Sequence, residues 1–189
     1  MARTQGFDRD TVVRAARALF WRSGYESTSI PELEAATGLS RSSIYNAFGS
    51  KRGLFDAAVD SYLAEVVRPR LSPLTAEHVD PRALAAYLTG LRAAFQNLGS
   101  MPATNGCLLI NTAGAPIAGD PEVARVIADY RDELHRAVLR GLRAARGDAP
   151  EVARLAEAVT GLMIAGFALA RVDAVEAARS IDTALGLIE

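Results

Sequence analysis

Residues 28–51 read TSIPELEAATGLSRSSIYNAFGSK, and the polar and glycine residues of this stretch predict two short helices. Ser29 can cap the first helix, with a proline in its first turn and Glu32 at the spacing of a capping box. Gly38 can supply the left-handed residue that ends this helix, and Ser40 can then cap the second. Two short helices joined at a glycine turn are the layout of a helix-turn-helix.

The second helix, predicted over residues 41–47, has an informative outward face. With the core-facing Ile44 and Phe48 set aside, every remaining side chain but one alanine can hydrogen-bond, and none is acidic. Arg pairs with guanine, Asn with adenine, and Ser with bases or phosphates, whereas a merely solvated helix more often carries Glu and Lys four residues apart. The pattern predicts that this helix reads the major groove of DNA through Arg41, Ser42, Ser43, Tyr45 and Asn46.

The longer stretch TSIPELEAATGLSRSSIYNAFGSKRGLF resembles the N-terminal DNA-binding domain of the TetR family of transcriptional regulators over about residues 8–62. The resemblance implies a homodimer, usually a repressor, that leaves double-stranded operator DNA when the C-terminal domain binds a small-molecule effector. It also implies phosphate contacts from Thr28 and Lys51, and a contact from Ser40 beside the recognition residues. Asn46 and Ala47 depart from the family, which more often has His and a larger residue there, so we expect an altered sequence preference.

Composition restricts the class of protein. The 189 residues are enough for one or two small domains, and with half of them apolar and 23% charged they match a soluble globular protein. Abundant Ala and Leu, with few β-branched runs, predict an all-α fold. We expect no membrane span, because no run approaches about 20 apolar residues. The N-terminus lacks the apolar core of a signal peptide, which predicts a cytoplasmic protein.

The net charge of −1 hides a difference between the two ends of the chain. Residues 1–53 carry eight Lys and Arg against five Asp and Glu, a net charge of +3, and the remaining residues carry thirteen against seventeen, a net charge of −4. A mildly basic N-terminal part on an acidic remainder is consistent with local phosphate binding. The single cysteine excludes an intrachain disulfide.

The helical periodicity predicts about nine helices in an all-α arrangement. We expect a three-helix N-terminal helix-turn-helix domain at residues 1–50, a connecting helix at 51–70, and a C-terminal ligand-binding and dimerisation domain at 71–189. The connecting helix is expected to stop near Pro69, with a loop over 71–80. Because this helix runs from the DNA-binding domain into the next one, its tilt would change the spacing of two such domains in a dimer.

The segment SMPATNGCLLINTAGAPIAGD, residues 100–120, is the least regular part of the chain, yet its centre is apolar enough to be buried. Buried irregular segments with polar groups are common ligand sites. Each aromatic or sulfur-containing residue nearby could equally be ordinary core. The predicted ligand-binding set is Tyr62, Phe95, Met101, Cys107, Tyr130, Met163 and Phe167.

The stretch AVTGLMIAGFALA, residues 158–170, contains no charge. A helix that is apolar on every side is buried on every side, and a chain of this size has few elements to surround it. A second subunit should therefore cover one face, through the last two helices. The predicted dimerisation residues are Leu155, Val159, Leu162, Gly166, Ile181 and Leu185.

Two alternatives to a reversibly induced DNA-binding regulator stay open. Cys107 follows a glycine at a predicted helix start, where the helix dipole favours a thiolate, so the protein could sense electrophiles or oxidants; a small buried core side chain is the simpler interpretation. A helical interaction module without DNA binding is the other alternative. The absence of phosphate-loop, nucleophile-elbow and zinc motifs argues against an enzyme, and the isolated His78 and His135 argue against a metal or cofactor.

Overall fold

Side-chain caps begin each helix of the N-terminal domain in the computed structural model, which describes residues 7–189. Asp8 caps α1 (Arg9–Ser23) by accepting from the amide of Asp10. Ser29 caps α2 (Ile30–Thr37) and forms the predicted capping box with Glu32. Ser40 caps α3 (Arg41–Phe48). The local signals in the sequence therefore set these helix boundaries, as predicted.

A small aromatic and aliphatic core holds the three helices together. Leu33 of α2 and Ile44 of α3 are fully buried. Phe20 of α1 stacks on Tyr25 and meets Phe55 edge-on with ring centroids 5.2 Å apart. Helix α3 packs on α2 and on the helix that begins at Lys51, so the opposite side of α3 faces solvent.

The connecting helix is longer than predicted. It begins as α4 (Lys51–Tyr62), passes through a π-helical turn (Leu63–Val67), and continues as α5 (Arg68–Thr75), so the predicted stop near Pro69 and the loop from residue 71 are wrong. Proline clashes with the carbonyl four residues earlier, and the wider π-helical turn relieves this for Pro69. A second proline, Pro73, also lies inside the helix; the Ser72 hydroxyl donates to the Pro69 carbonyl at 2.9 Å, the acceptor that Pro73 leaves without an amide.

The C-terminal part packs around this rod, the continuous helix α4–α5. Its helices are α6 (Ala83–Gln96), α7 (Met101–Asn105), α8 (Leu108–Ala113), α9 (Pro121–Arg146), α10 (Val152–Leu169) and α11 (Ala174–Ile188), with a 3-10 turn at Pro116–Gly119. Helix α9 packs on α5, α10 packs on α9 and α11, and α11 packs on α6. Counting the rod once and setting aside the five-residue α7, nine helices lie between residues 7 and 189, as predicted.

Helix α10 qualifies the expectation that no segment could span a membrane. By length and composition alone this 18-residue helix is apolar enough, with a mean hydropathy of 1.6. Only 39% of its residues are buried. Its inner side nevertheless packs against neighbouring helices of the bundle, so it also fits the description of a core helix with one uncovered side.

Candidate nucleic-acid interface and effector cavity

Helix α3 presents a polar surface to solvent while its core side is closed. Ile44 is fully buried, and Ser43 is half-buried at the edge. No acidic side chain of α3 itself lies on this surface, in agreement with the sequence prediction. The solvent-exposed residues at the cap and on the helix are Ser40, Arg41, Ser42, Tyr45 and Asn46.

The first turn of α3 is held by a hydroxyl cluster and by one carboxylate. Ser40 Oγ lies 3.0 Å from the hydroxyls of both Ser42 and Ser43, and it accepts from the Ser43 amide at 3.3 Å. Glu34 of α2 accepts a hydrogen bond from the Arg41 amide. The sequence analysis did not identify Glu34 as an acidic neighbour of α3. It satisfies a free amide at the helix start, which favours a negative group.

Aromatic rings orient the two cations nearest to this surface. The Arg41 guanidinium lies 5.5 Å from the centroid of the Tyr45 ring, on the same side of α3. The Lys51 Nζ lies 4.4 Å from the centroid of the Tyr25 ring, at the start of α4. Partial burial lowers the pKa of Lys51, an effect that the nearby Glu26 opposes. Both side chains are therefore presented in defined positions at the ends of α3.

Thr28 does not lie where the predicted phosphate contact requires it. Its side chain is fully buried, and its hydroxyl donates to the Gly24 carbonyl at 2.6 Å. In this position Thr28 fixes the turn between α1 and α2, and its hydroxyl is withdrawn from the surface. Arg9, which the sequence analysis passed over, instead holds α3 from outside: it donates to the Ala47 carbonyl at 3.1 Å and covers the Phe48 ring.

A cavity of about 280 Å³ lies in the C-terminal part, bounded by the rod α4–α5 and by α6, α9 and α10. Its wall is mostly apolar, with three tyrosines and one arginine. This volume is near the lower end of small-molecule pockets, about 300–1,000 Å³. The lining residues are Tyr62, Val66, Val67, Arg70, Ala86, Tyr87, Gly90, Leu91, Ala94, Tyr130, Leu134 and Phe167.

The structure places only part of the predicted ligand-binding set at this cavity. Tyr62, Tyr130 and Phe167 line it. Phe95 and Met163 are fully buried and do not line the cavity, although Phe95 packs edge-on against the lining residue Phe167. The remaining two members lie elsewhere.

Met101 and Cys107 take different positions from each other. Met101 begins α7, a helix the sequence analysis did not predict, and is 37% exposed, so its assignment to the cavity is wrong. Cys107 is fully buried, and its thiol donates to the Tyr130 hydroxyl at 3.3 Å. It therefore lies one side chain away from the cavity. Burial raises the pKa of both Tyr62 and Tyr130 well above the ordinary value of 10.0, and both neighbour the Cys107 sulfur.

Tyr87 and Arg70 are cavity residues that the sequence analysis missed. Tyr87 falls on the same helical stripe as Leu84, Leu88 and Leu91, a signal that could have found it. Arg70 follows Pro69, near which the connecting helix was expected to stop, so the sequence could not assign Arg70 to one side of a helix. The structure brings both to one end of the cavity.

Two polar contacts join the N-terminal domain to the cavity region. Trp21 of α1 donates from Nε1 to the Gly106 carbonyl at 3.1 Å, and its ring meets Tyr62 edge-on at 5.0 Å. Arg52 of α4 donates to both carboxylate oxygens of Asp120, at 2.7 and 3.2 Å. Since Asp120 also caps α9, the start of the rod is tied to the start of α9. The guanidinium of Arg52 lowers the pKa of Asp120 to about 2.

The predicted dimerisation residues divide into two groups. Val159, Gly166 and Ile181 are buried within the chain itself, where Gly166 lies against Phe95 and Ile181, so they cannot contact a partner from these positions. They are buried because α10 packs against α11. The sequence could not show which side of each helix faces the other. Leu155, Leu162 and Leu185 are half-buried at the edges of this packing.

The uncovered side of α10 and α11 is nevertheless apolar. Gly161 is exposed, with open space around it, and Leu169 is 38% exposed on the same helix. Leu187 of α11 is 42% exposed. A pair of helices with this much exposed apolar surface is typical of an interface between chains.

A capped helix-turn-helix with a polar, non-acidic second helix defines the chain as a DNA-binding protein of the helix-turn-helix class. The comparisons with known proteins agree. The family model described as bacterial regulatory proteins, tetR family, matches residues 12–58. The HTH-type transcriptional repressor ComR of Escherichia coli (strain K12) is 34% identical over 163 residues, which are 82% of this chain and 75% of ComR.

Solved structures extend the similarity to the whole fold. A cysteine mutant of the TetR family transcriptional regulator CifR, complexed with 26-base-pair double-strand operator DNA, is 28% identical with a TM-score of 0.79, covering 97% of this chain and 98% of that one. A TetR transcriptional regulator from Chloroflexus aurantiacus J-10-FL is 32% identical with a TM-score of 0.72, covering 95% and 91%. The chain belongs to the TetR family of transcriptional regulators.

This membership settles the class of activity. The chain is a DNA-binding transcriptional regulator that acts on double-stranded DNA, and it is not an enzyme. The alternative of a helical interaction module without DNA binding is therefore set aside.

Proposed function

We propose that the protein is a homodimeric repressor of the cytoplasm that leaves its operator when a small molecule occupies the cavity. The observation that carries this proposal is that one rod, α4–α5, begins beside the exposed recognition helix and forms a wall of the cavity. The description of ComR as a repressor supports the direction of regulation. We divide the chain accordingly into a DNA-binding domain at 1–50, a connecting rod at 51–75, and a ligand-binding and dimerisation domain over the remainder.

In this proposal α3 enters the major groove of the operator. Arg41 and Asn46 read bases by hydrogen bonds, and Tyr45 packs against base edges or sugar, while Ser42 and Ser43 fill the short distance between helix and groove. Ser40 at the cap of α3 and Lys51 in the first turn of α4 bind phosphates, as helix starts commonly do. Thr28 positions the α1–α2 turn from its buried site.

The effector acts through its differential affinity for two rod positions. Tyr62 lies on the rod and lines the cavity, so a ligand that fills the cavity favours one rod tilt. Helix α4 packs on α1 and α3, so the start of the rod carries that tilt to the DNA-binding domain, while the Arg52–Asp120 contact ties the same end of the rod to α9. In a dimer the spacing of the two recognition helices then no longer fits two half-sites one DNA turn apart.

The test of DNA reading is fluorescence anisotropy on duplexes from the DNA flanking the protein's own gene, across a salt series. Arg41→Ala should weaken specific binding about tenfold or more while the dimer and the thermal midpoint are unchanged. Arg136→Ala removes an exposed arginine of α9 and is the matched control, expected to bind like the parent protein. An Arg41→Ala protein that binds as tightly as its control would exclude α3 as the recognition helix.

The test of the dimer is the molecular mass in solution by sedimentation. Gly161→Arg places a charge on the exposed apolar side of α10 and should yield a monomer that binds operator poorly. Gly119→Arg introduces the same side chain where a Cβ also meets open space, and it should leave the dimer intact. A Gly161→Arg dimer would move the interface to another surface.

Sensing through Cys107 is a second candidate, favoured by the 3.3 Å contact between its sulfur and Tyr130, a residue of the cavity wall. An electrophile that entered the cavity would lie one side chain from this thiol. Replacement of Cys107 by Ser separates the two candidates. If induction is lost in the Cys107→Ser protein, the signal is covalent; if induction is unchanged, reversible occupation of the cavity is sufficient.

A further inference from the structure

The charges around the cavity are one-sided. Arg70 is the only ionic side chain among the residues that line it, and neither Asp nor Glu is in the wall that residues 7–189 form. Apart from Arg70 and the three tyrosines, the wall is built from aliphatic residues, Gly90 and Phe167. A ligand that satisfies this wall needs an apolar body, and any charge on it has to be negative to be matched.

Arg70 is free to provide that match. Within the described part of the chain it forms no ion pair, whereas Arg68, two residues earlier on the same helix, is paired with Glu133 at 3.5 Å. The guanidinium of Arg70 is close enough to Tyr62 and Tyr87 to oppose, through its charge, the rise that burial causes in their pKa. The arginine therefore lines the cavity near Tyr62 and Tyr87, and it is exposed to solvent.

Tyr87 adds a hydrogen-bond donor at the same end. Among residues 7–189 its hydroxyl forms no hydrogen bond with a protein group, unlike Tyr130, which accepts from Cys107. The phenol of Tyr87 is neutral and can donate near pH 7, and burial raises its pKa further above the ordinary value of 10.0. A guanidinium and a phenol that converge on one opening can bind a carboxylate in a charge-assisted way.

We propose that the effector is a small amphipathic anion of the carboxylate class, with its charged group bound by Arg70 and Tyr87 and its apolar body in the cavity. This inference rests on the proposed role of the cavity as the effector site. The volume of about 280 Å³ limits the body to a single ring or a short chain. A neutral apolar molecule would gain no attraction from the guanidinium, and a cation would be repelled by it.

The test uses two pairs of probes that differ only in charge: benzoate with benzamide, and octanoate with octanamide. Isothermal titration of the full chain should give carboxylate dissociation constants about 10- to 100-fold below those of the amides. Arg70→Gln should reduce this preference to within threefold. Arg68→Gln removes the neighbouring, already paired arginine and should preserve the preference.

Each outcome decides a separate point. Equal binding of carboxylates and amides by the parent protein, or binding of neither at millimolar concentration, would overturn the anion proposal. The site itself is tested by Gly90→Leu, which fills the cavity at a lining position where an added side chain meets open space. Carboxylate binding that persists in Gly90→Leu would contradict the cavity as effector site, and therefore the proposed function, whatever the charge preference.

Discussion

The DNA-binding domain and the C-terminal part of this protein are both helical, but different interactions fix them. In the first, each helix begins at a polar cap and turns at a glycine that meets only solvent. In the second, the helix ends around Cys107 are set by contacts with distant elements: the Gly106 carbonyl accepts from Trp21 of α1, and Gly106 lies against the backbone carbonyl of Phe167 of α10. Local signals thus determine the reading surface, and long-range packing determines the cavity.

The difference is clearest at two glycines with a positive φ. Gly38 turns α2 into α3 at φ +70°, and an added Cβ there would meet nothing within 4 Å. Gly106 has φ +63°, but an added Cβ would overlap the backbone oxygen of Phe167. Since a backbone oxygen cannot rotate away as a side chain can, the second site has no way to relax without moving α10.

Replacing these glycines gives the largest expected effect. Gly106→Ala should lower the free energy of unfolding by about 3 kcal/mol or more, because backbone strain and overpacking add. Gly38→Ala carries the strain alone and should cost about 1–2 kcal/mol. Chemical denaturation followed by circular dichroism measures both. Equal losses in the two variants would show that the region around Gly106 is as locally determined as the helix turn.

Removing a helix cap tests the local signals of the DNA-binding domain, and we expect a loss of stability smaller than that at Gly106. Ser40→Ala removes the acceptor for the Ser43 amide and should cost about 1 kcal/mol of stability. Ser50→Ala removes the equivalent bond to the Gly53 amide at the start of α4, and should cost a similar amount.

The two cap variants should differ in DNA binding. Only Ser40 is exposed on the reading surface, so Ser40→Ala should weaken operator binding further than Ser50→Ala does, as measured by anisotropy at fixed salt. The same loss of affinity in both proteins would mean that Ser40 acts only through helix stability and contributes no contact of its own.

The same contrast explains what the sequence could predict. Caps, glycine turns and apolar spacing are local, so the helix-turn-helix, its exposed face and nearly all helix bounds followed from short stretches. The rod end did not, because proline at positions 69 and 73 ordinarily stops a helix, and here a π-helical turn and the Ser72 hydroxyl accommodate it. Without that end, Arg70 could not be placed.

Which side of a helix faces which neighbour was also beyond the sequence. The apolar run in α10 correctly indicated more apolar surface than one chain can cover. It could not say that Val159 and Gly166 would face inward while Gly161 stays exposed, because that rotation is set by packing on α6, α9 and α11. The Arg52–Asp120 contact, which joins residues 68 positions apart, lies in the same category.

The Arg52–Asp120 contact gives the smallest expected effect, and the pH dependence of stability identifies it. The pKa of Asp120 is about 2 when folded, against an ordinary value of 3.8, so the unfolded chain binds the proton more tightly. Its contribution to stability is therefore fully present above about pH 5 and is lost as pH falls through 3.8 towards 2.

Asp120→Asn isolates this charge, because Asn also caps helices well and the cap of α9 is kept. The parent protein should be more stable than Asp120→Asn at pH 7, and the difference in unfolding free energy from urea titrations should shrink steadily between pH 5 and pH 3. The variant should also need more ligand for release from DNA, since the rod is no longer tied to α9 by an ion pair.

A stability difference that stays constant from pH 7 to pH 3 would show that Asp120 acts through its cap and not through the charge of Arg52. The rod would then have to communicate with the C-terminal part through its other contacts, among them the ion pair of Arg68 with Glu133 and the packing of α5 on α9.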